Sequence, residues 1–445
     1  MTTRPEVARP RVAVIGGGTA GVSLAWLLDG ACDVVLLEAQ ARLGGHAHTE
    51  QVEFRGQPFY ADLGAQFVSP QLEPAFMRFL EELGIYDPKA PDSGATISRE
   101  MGITVSDYGA KRPRFVSPMF WRRTWPLVAP WNIPASLGFF AYVRAVRRFE
   151  QEGDWSITLD AWLRSVPGLD AEQREGLLLP WITAQTGCSI EAARTLSARA
   201  ALAPAARTLT EGLFGAYLVT NAVVGLGGVV EQIAARCTSL TVHRNAAAIA
   251  LVRTASGPCV ITADGRREQV DHVVLAAPPH ALVPLFSDDP SLRRWLERFT
   301  WFSSRLAIHD QPTFMPADRR AWSAYNALTM DGYCEASVWY GAIRDRMADG
   351  CTVDLFKSWV SARAQEPEGL LASAEYKHPL HTPDFVRAQS EVDARQGRDN
   401  LWFAGSWTRD IDLQETALLS AVWVAERLAP DAANLRRLTS AIVRR

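Results

Sequence analysis

A chain of 445 residues, 48% of them apolar, has room for two domains or one large intertwined one and enough material for a sizeable core. A formal net charge of −3 without a basic block excludes nucleic acid as the main partner. Six cysteines without CxxC spacing read as reduced thiols of a cytoplasmic protein; there is no signal-peptide pattern and no run of about 20 apolar residues to span a bilayer.

The first recognisable unit runs from Arg11 to Glu38. Val12-Ala13-Val14-Ile15 suits a strand buried on both faces. Gly16, Gly18 and Gly21 follow in G-x-G-x-x-G register, then a helix over Val22–Leu28 and a second strand, Val34–Leu37, ending in Glu38. Each part has a task in holding a dinucleotide. Gly16 permits the tight turn, Gly18 lets the backbone approach a pyrophosphate, and Gly21 lets helix and strand pack closely. The helix start offers N–H groups to the anion, and Glu38 is spaced to accept from a ribose diol.

Glu38 to Gly45 reads E-x-x-x-R-x-G-G. This resembles the flavin amine oxidase and phytoene desaturase superfamily, and the resemblance implies FAD. By it Glu38 holds the adenosine ribose, while Arg42, Gly44 and Gly45 continue along the pyrophosphate toward the flavin. The residues agree, since a second glycine turn gives another close backbone approach and Arg42 adds a fixed positive charge. His46 stands where amine oxidases usually carry Arg and matches a bacterial branch that reads G-G-H. An H-x-H metal pair with His48 and a covalent tether to the flavin are the alternatives for it; the expectation is non-covalent FAD and no metal. Ala61–Val68 resembles the family's segment that passes the isoalloxazine, which makes Ala65 a cofactor neighbour and Gln66 a candidate near the reacting centre.

A helix over Gln71–Leu83 follows, with Gly84 as its C-cap. Residues 86–224 carry no dinucleotide pattern. From Pro113 to Trp131 the chain is rich in Pro and Trp, with Arg112, Arg114, Arg122 and Arg123 interspersed, and Ala135–Arg148 reads as an apolar helix with a basic end. Three readings fit 113–148: a lid over an apolar substrate, a surface that rests on a membrane, or a proline-broken loop feeding a core helix. Helices are predicted over Ile157–Leu163, Gln173–Ala184 and Ile190–Ala201. Fifteen tryptophans suggest aromatic walls around an apolar ligand, with ordinary core and surface aromatics the alternative that covers most of them individually.

Gly225–Gly228, strand Leu240–His243, a hairpin to Gly265 and strand Asp271–Ala277 with Pro278-Pro279 resemble the family's middle block. By that match Ala247 packs on adenine. Gly225–Gly228 is not a second nucleotide fingerprint, because no buried strand runs into it. The strand through Arg305 resembles one that presents a Lys near flavin N5 in amine oxidases; Arg305 is its nearest counterpart and the second candidate for the reacting centre, an outward-facing strand residue being the alternative reading for it. Finally, strand Asn400–Gly405 and a helix near Glu415 resemble the closing block. Gly405, Ser406, Glu415, Thr416 and Ala417 are its cofactor residues, with Ser406 at the usual acid and Thr416 at the usual glycine.

The expected fold is α/β: a Rossmann-type, GR2-like FAD-binding domain (10–75, 222–285 and 385–432) with an inserted α+β substrate domain (76–221 and 286–384), amine-oxidase-like. The expected function is an FAD-dependent oxidoreductase taking a hydride from a C–N or C–C bond of an apolar small molecule, with oxygen or another acceptor reoxidising the flavin. A redox-neutral isomerase or desaturase of lipid double bonds and a non-enzymatic flavin-binding protein are the alternatives.

Overall fold

The computed structural model describes residues 9–92, 95–119, 123–208, 218–344 and 350–443. At its centre are five parallel strands in the order Leu401–Phe403, His272–Leu275, Arg11–Ile15, Asp33–Leu37 and Leu240–His243. Alternation divides the first strand of the chain between two cores. Val12 and Val14 pack with Trp26, Phe79 and Leu418 on one face, and Ala13 and Ile15 with Trp295, Phe385 and Trp407 on the other. Helices Thr19–Leu27, Gly225–Ala234 and Gln414–Leu428 contribute to the first core; the antiparallel strands Ala248–Thr254, Gly257–Thr262 and Arg267–Gln269 lie beside the second.

The rest of the chain builds a seven-stranded mixed sheet in the order Leu370–Pro379, Trp301–His309, Phe356–Trp359, Tyr333–Trp339, Tyr325–Met330, Ile103–Asp107 and Phe115–Val116. Helices from Ile133 to Thr208 cover one side, closing a core around Tyr142, Trp162, Trp181 and Tyr325. Hairpin strands Thr49–Phe54 and Gln57–Asp62 cover the other, where Phe59, Ala61 and Leu63 meet Leu306, Ile308 and Tyr340.

Local chemistry explains where the elements depart from expectation. The helix predicted over Gln71–Leu83 starts at Pro74, a residue suited to the first helical position. The segment predicted as one helix over Gln173–Ala184 is a π-helical stretch, Glu172–Leu178, followed by the α-helix Leu179–Thr186; Pro180 has no N–H to donate, and the hydrogen-bond register changes just before it. The helix predicted over Ile190–Ala201 breaks between Arg194 and Ala198, because Leu196 and Ser197 turn to pair with Leu159, Thr158 and the His381 carbonyl. Trp26, Trp162, Trp181, Trp295 and Trp407 are buried in cores.

Gly21 holds the first helix against the first glycine turn: a Cβ there would lie 2.0 Å from the Gly16 carbonyl oxygen. Gly21→Ala should therefore force helix and strand apart, at a cost of about 1–3 kcal/mol. A thermal melt of the purified variant is the check; an unchanged melting temperature would show that the close approach is dispensable.

Candidate active site

The two glycine turns touch. Gly18 and Gly44 form a parallel bridge, and the Gly44 N–H donates to the Gly17 carbonyl at 2.8 Å. Gly16 (φ 111°) and Gly44 (φ 112°) hold conformations that side chains rarely adopt, and a Cβ on Gly44 would sit 2.1 Å from the Ala47 carbonyl oxygen. At Gly18 the space is open, the nearest atom to an added Cβ being 3.8 Å away. Over this open face lies a cleft of about 380 Å³.

The cleft has the parts a dinucleotide needs. Gly16, Gly18, Gly44 and Gly45 form its floor with Thr19 and Ala20, the start of a helix that no side chain caps. Glu38 lines one end beside Ala247. Its carboxylate accepts from the Gly17 and Gln40 N–H groups, each at 2.7 Å, which leaves lone pairs for a diol. His46, Gly405, Ser406 and Ala417 line the other side with Asp412, Trp301 and Trp407. The open glycine floor, the uncapped helix start and the buried acid fit FAD.

Other expected residues have different tasks. Gly21 packs the helix and does not line the cleft. Arg42 donates to the Gly45 carbonyl at 3.1 Å, so it clamps the second glycine turn and is not among the cleft's lining residues. Ala65 lies outside the lining too, its N–H donating to the His46 carbonyl at 2.8 Å. Glu415 is turned away: its carboxylate accepts from the Ala75 and Phe76 N–H groups at 3.1 and 2.7 Å, capping helix Pro74–Glu82. Thr416 donates to the Ile411 carbonyl and accepts from the Leu413 N–H, fixing the turn before its own helix.

Of the two candidates for the reacting centre, Gln66 is buried in the segment beside Ala65, and its Oε1 has no hydrogen-bond partner. Such an orphan acceptor is what a missing ligand group would satisfy. Arg305 is elsewhere, ion-paired with Glu366. Strand geometry explains why. Ile308 pairs with Lys357, so these two share a face, and Arg305, three residues from Ile308, lies on the opposite one.

Lys357 is the residue that reading the chain in order missed. It is 2% exposed, and its Nζ donates to the Gly64 carbonyl at 2.6 Å, next to Ala65 and Gln66. Burial pushes its ammonium below the usual lysine range, with Asp62 opposing; burial likewise raises the Asp62 carboxyl against the hydrogen bond from Thr49. Its one signal is a lone charge inside the apolar run Leu355–Trp359. Asp412 was missed too, and it brings a carboxylate to Ser406 at the cleft. Ser406 Oγ donates to its carboxylate and His46 Nδ1 stands 3.7 Å from it. Burial alone would raise Asp412; His46 and Ser406 outweigh it and hold the carboxyl well below the usual range.

His46 and His48 do not form a pair. His48 bonds Tyr376 Oη at 2.6 Å and Glu50 at 2.8 Å. His46 instead groups with His378 and Asp412, whose candidate ligand atoms all lie within 4.8 Å of one another.

Burial lowers His378, His381 and His280 to about 4. The unfolded chain takes up protons on these groups near pH 6.5, and the folded protein does not until about pH 4. Their neutral burial therefore stabilises above pH 6.5, and that contribution is lost as pH falls toward 4. Because His381→Asn removes one such group, its deficit in melting temperature should narrow between pH 7 and 4.5. A deficit that widens on acidification would mean that His381 is charged in the fold. For the cleft, Glu38→Ala should weaken FAD binding by about 1.5–3 kcal/mol, read by titrating apoprotein with FAD; unaltered affinity would remove Glu38 from the site.

Residues 19–302 match the family described as Flavin containing amine oxidoreductase. Human amine oxidase [flavin-containing] B is 33% identical over 138 residues, 28% of this chain and 25% of that protein, so the match spans about a quarter of the relative's length. Putrescine oxidase bound to putrescine superposes with a TM-score of 0.63 at 17% identity, covering 98% of this chain and 99% of the other. A CLA-producing fatty acid isomerase from P. acnes superposes with a TM-score of 0.59 at 14% identity, covering 94% and 98%. Those two likenesses concern the fold. With the family match spanning well over half of the residues and the FAD cleft in place, this chain belongs to the flavin-containing amine oxidoreductase family.

Proposed function

We propose that the protein is an FAD-dependent oxidase that takes a hydride from the C–N bond of an amine with an apolar body. Bound FAD supplies the two-electron acceptor and returns the electrons to oxygen or another acceptor. The observation that carries the proposal is the buried Lys357 at the Gly64 carbonyl, two residues along the chain from Gln66, whose buried Oε1 has no hydrogen-bond partner.

The chain's own residues divide the work. Glu38 and the glycine floor bind the adenosine and pyrophosphate portions; Ser406, Asp412 and His46 offer polar atoms at the other side of the cleft. Lys357 Nζ holds a proton in a water-poor setting, where a positive charge acts strongly on any negative charge that develops nearby. Asn221, with both amide atoms buried and unpartnered, lies on the strand whose Thr220 bridges to Val68, and it is a candidate contact for the substrate's polar end. Loss of the hydride from carbon to the two-electron acceptor and of a proton from nitrogen to water leaves an imine, which water hydrolyses to a carbonyl compound and ammonia or an amine.

Electrons are expected to enter from substrate and not from a nicotinamide. The other glycine cluster, Gly225–Gly228, opens a helix whose start is already capped: the Leu226 N–H donates to Asp62 and the Gly227 N–H to Thr49 Oγ1, both at 2.9 Å. It has no vacant N–H cradle for a second pyrophosphate. A redox-neutral isomerisation of a lipid double bond is the second reading, favoured by an apolar surface helix face described below.

Anaerobic mixing with a panel of primary and secondary amines should bleach the flavin, and Lys357→Met should slow that bleaching or the subsequent reaction with oxygen at least tenfold, about 1.4 kcal/mol. NADH and NADPH should leave the flavin oxidised. Bleaching by a nicotinamide within seconds would make the protein a reductase or monooxygenase. Turnover of an unsaturated fatty acid without consumption of any acceptor would favour the isomerase.

A further inference from the structure

Helix Ile133–Glu152 presents the wrong residues to water. Its buried side, Gly138, Tyr142, Val146 and Phe149, faces the helical core. The opposite side follows the 3–4 spacing of a single face: Ile133, Leu137, Phe140, Arg144 and Arg148 are all exposed. Leu137 is 64% exposed and Phe140 55%. For about 10 Å, then, the solvent face of this helix is apolar, and only afterwards does it turn basic.

The turns before the helix extend the patch. Leu127 and Val128 project from the 3₁₀ turn Trp125–Leu127, Val128 being 76% exposed. Trp125 and Trp131 lie against each other with ring centroids 6.1 Å apart, and the Arg112 guanidinium sits 5.4 Å from the Trp131 ring. Of twelve exposed large apolar side chains among the described residues, six fall between Trp125 and Phe140, so the patch is a concentration and not surface scatter. Among the arginines that the sequence placed here, Arg123 is spent internally, donating to Trp322 and Ser323, and Arg114 pairs with Asp107 and Glu172; Trp121 and Arg122 lie outside the described residues. The basic rim of the patch is therefore Lys111, Arg112, Arg144 and Arg148, all exposed, with Arg148 3.9 Å from Glu152.

We propose that this face docks on an anionic lipid surface, with Leu127, Val128, Leu137 and Phe140 entering the headgroup boundary and the arginines meeting lipid phosphates and carboxylates. Charge complementarity decides the occupant. A second copy joined by a two-fold contact would bring one basic rim against another, whereas an anionic bilayer answers both the apolar centre and the basic rim. Paired tryptophans suit the boundary between hydrocarbon and water. No helix among the described residues is long and apolar enough to cross a membrane, so the contact is peripheral. Such docking would let substrates dissolved in the bilayer reach the enzyme; the docking itself does not depend on which bond is oxidised.

The test is sedimentation of the flavin-loaded protein with vesicles of phosphatidylcholine alone or with about 30 mol % phosphatidylserine. Roughly tenfold more protein should pellet with the anionic vesicles, and raising the salt to about 0.5 M should release most of it. The double variant Leu137→Glu/Phe140→Glu, at exposed positions, should keep its melting temperature and flavin absorbance but lose vesicle binding; Arg144→Glu should lose part of it. Independently of any variant, brominated lipids should quench tryptophan emission of the parent protein. Absence of both pelleting and quenching overturns the proposal, and so does a dimer in sedimentation velocity that the double variant dissolves without any vesicle binding by the parent.

Discussion

The close approach of two glycine turns is the constraint on which the cleft depends. The Gly44 N–H reaches the Gly17 carbonyl, and Gly18 lies bridged to Gly44, so the backbones meet where side chains would keep them apart. Glu38 then bonds across to the Gly17 N–H, tying the end of the second strand to the first turn. Arg42 closes the second turn from the side through the Gly45 carbonyl. Binding surface and scaffold are thus the same few peptide groups. The first turn of the helix can remain uncapped because its N–H groups face the cleft that these turns leave open.

A second constraint joins the two halves of the molecule. Asp62 is buried and accepts from Thr49 and from the start of helix Gly225–Ala234, while its own N–H donates to Tyr340 Oη, in the turn that follows strand Tyr333–Trp339 of the seven-stranded sheet. Lys357, from the same sheet, reaches the Gly64 carbonyl two residues on. A buried carboxylate without such partners would be costly, and here each contact comes from a different element. The segment Asp62–Gln66 is held from both sides.

These two constraints also separate what could be read in the sequence from what could not. Gly16, Gly18, Glu38, Gly44 and Gly45 act within thirty residues of one another, and their spacing carries their roles. Ala247 and Gly405, which line the cleft, were legible through the resemblance of their blocks to the family's. Lys357 and Asp412 were not. The place of Lys357 depends on which strand becomes the neighbour of Trp301–His309, a pairing across some fifty residues that no local pattern announces. Asp412 reaches Ser406 only because the loop after Gly405 folds back through a short 3₁₀ turn. Arg305 lies on the strand neighbouring that of Lys357, on the opposite face.

Glu415 shows the same difficulty from the other direction. An acid at the start of a helix facing a cofactor reads as a ligand-binding group, yet its carboxylate is committed to the backbone of Ala75 and Phe76. The arrangement is reciprocal. Glu73, the residue before helix Pro74–Glu82, accepts from the Gln414 N–H at 3.1 Å, the first residue of the helix that carries Glu415. Each helix thus starts on a carboxylate belonging to the other, although they lie more than 330 residues apart. Two acids so close cannot both ionise cheaply in a buried site, and burial together with Glu415 pushes Glu73 up to about 8. With one proton retained, the pair satisfies four backbone donors, counting the Ser69 N–H that Glu73 also accepts. Gln414 is fixed by this exchange at the edge of the cleft, where it accepts from Thr19 Oγ1 of the first helix. Helices Thr19–Leu27 and Gln414–Leu428 therefore meet at the edge of the cleft, held there by a third helix whose position the sequence around Glu415 gives no means to foresee.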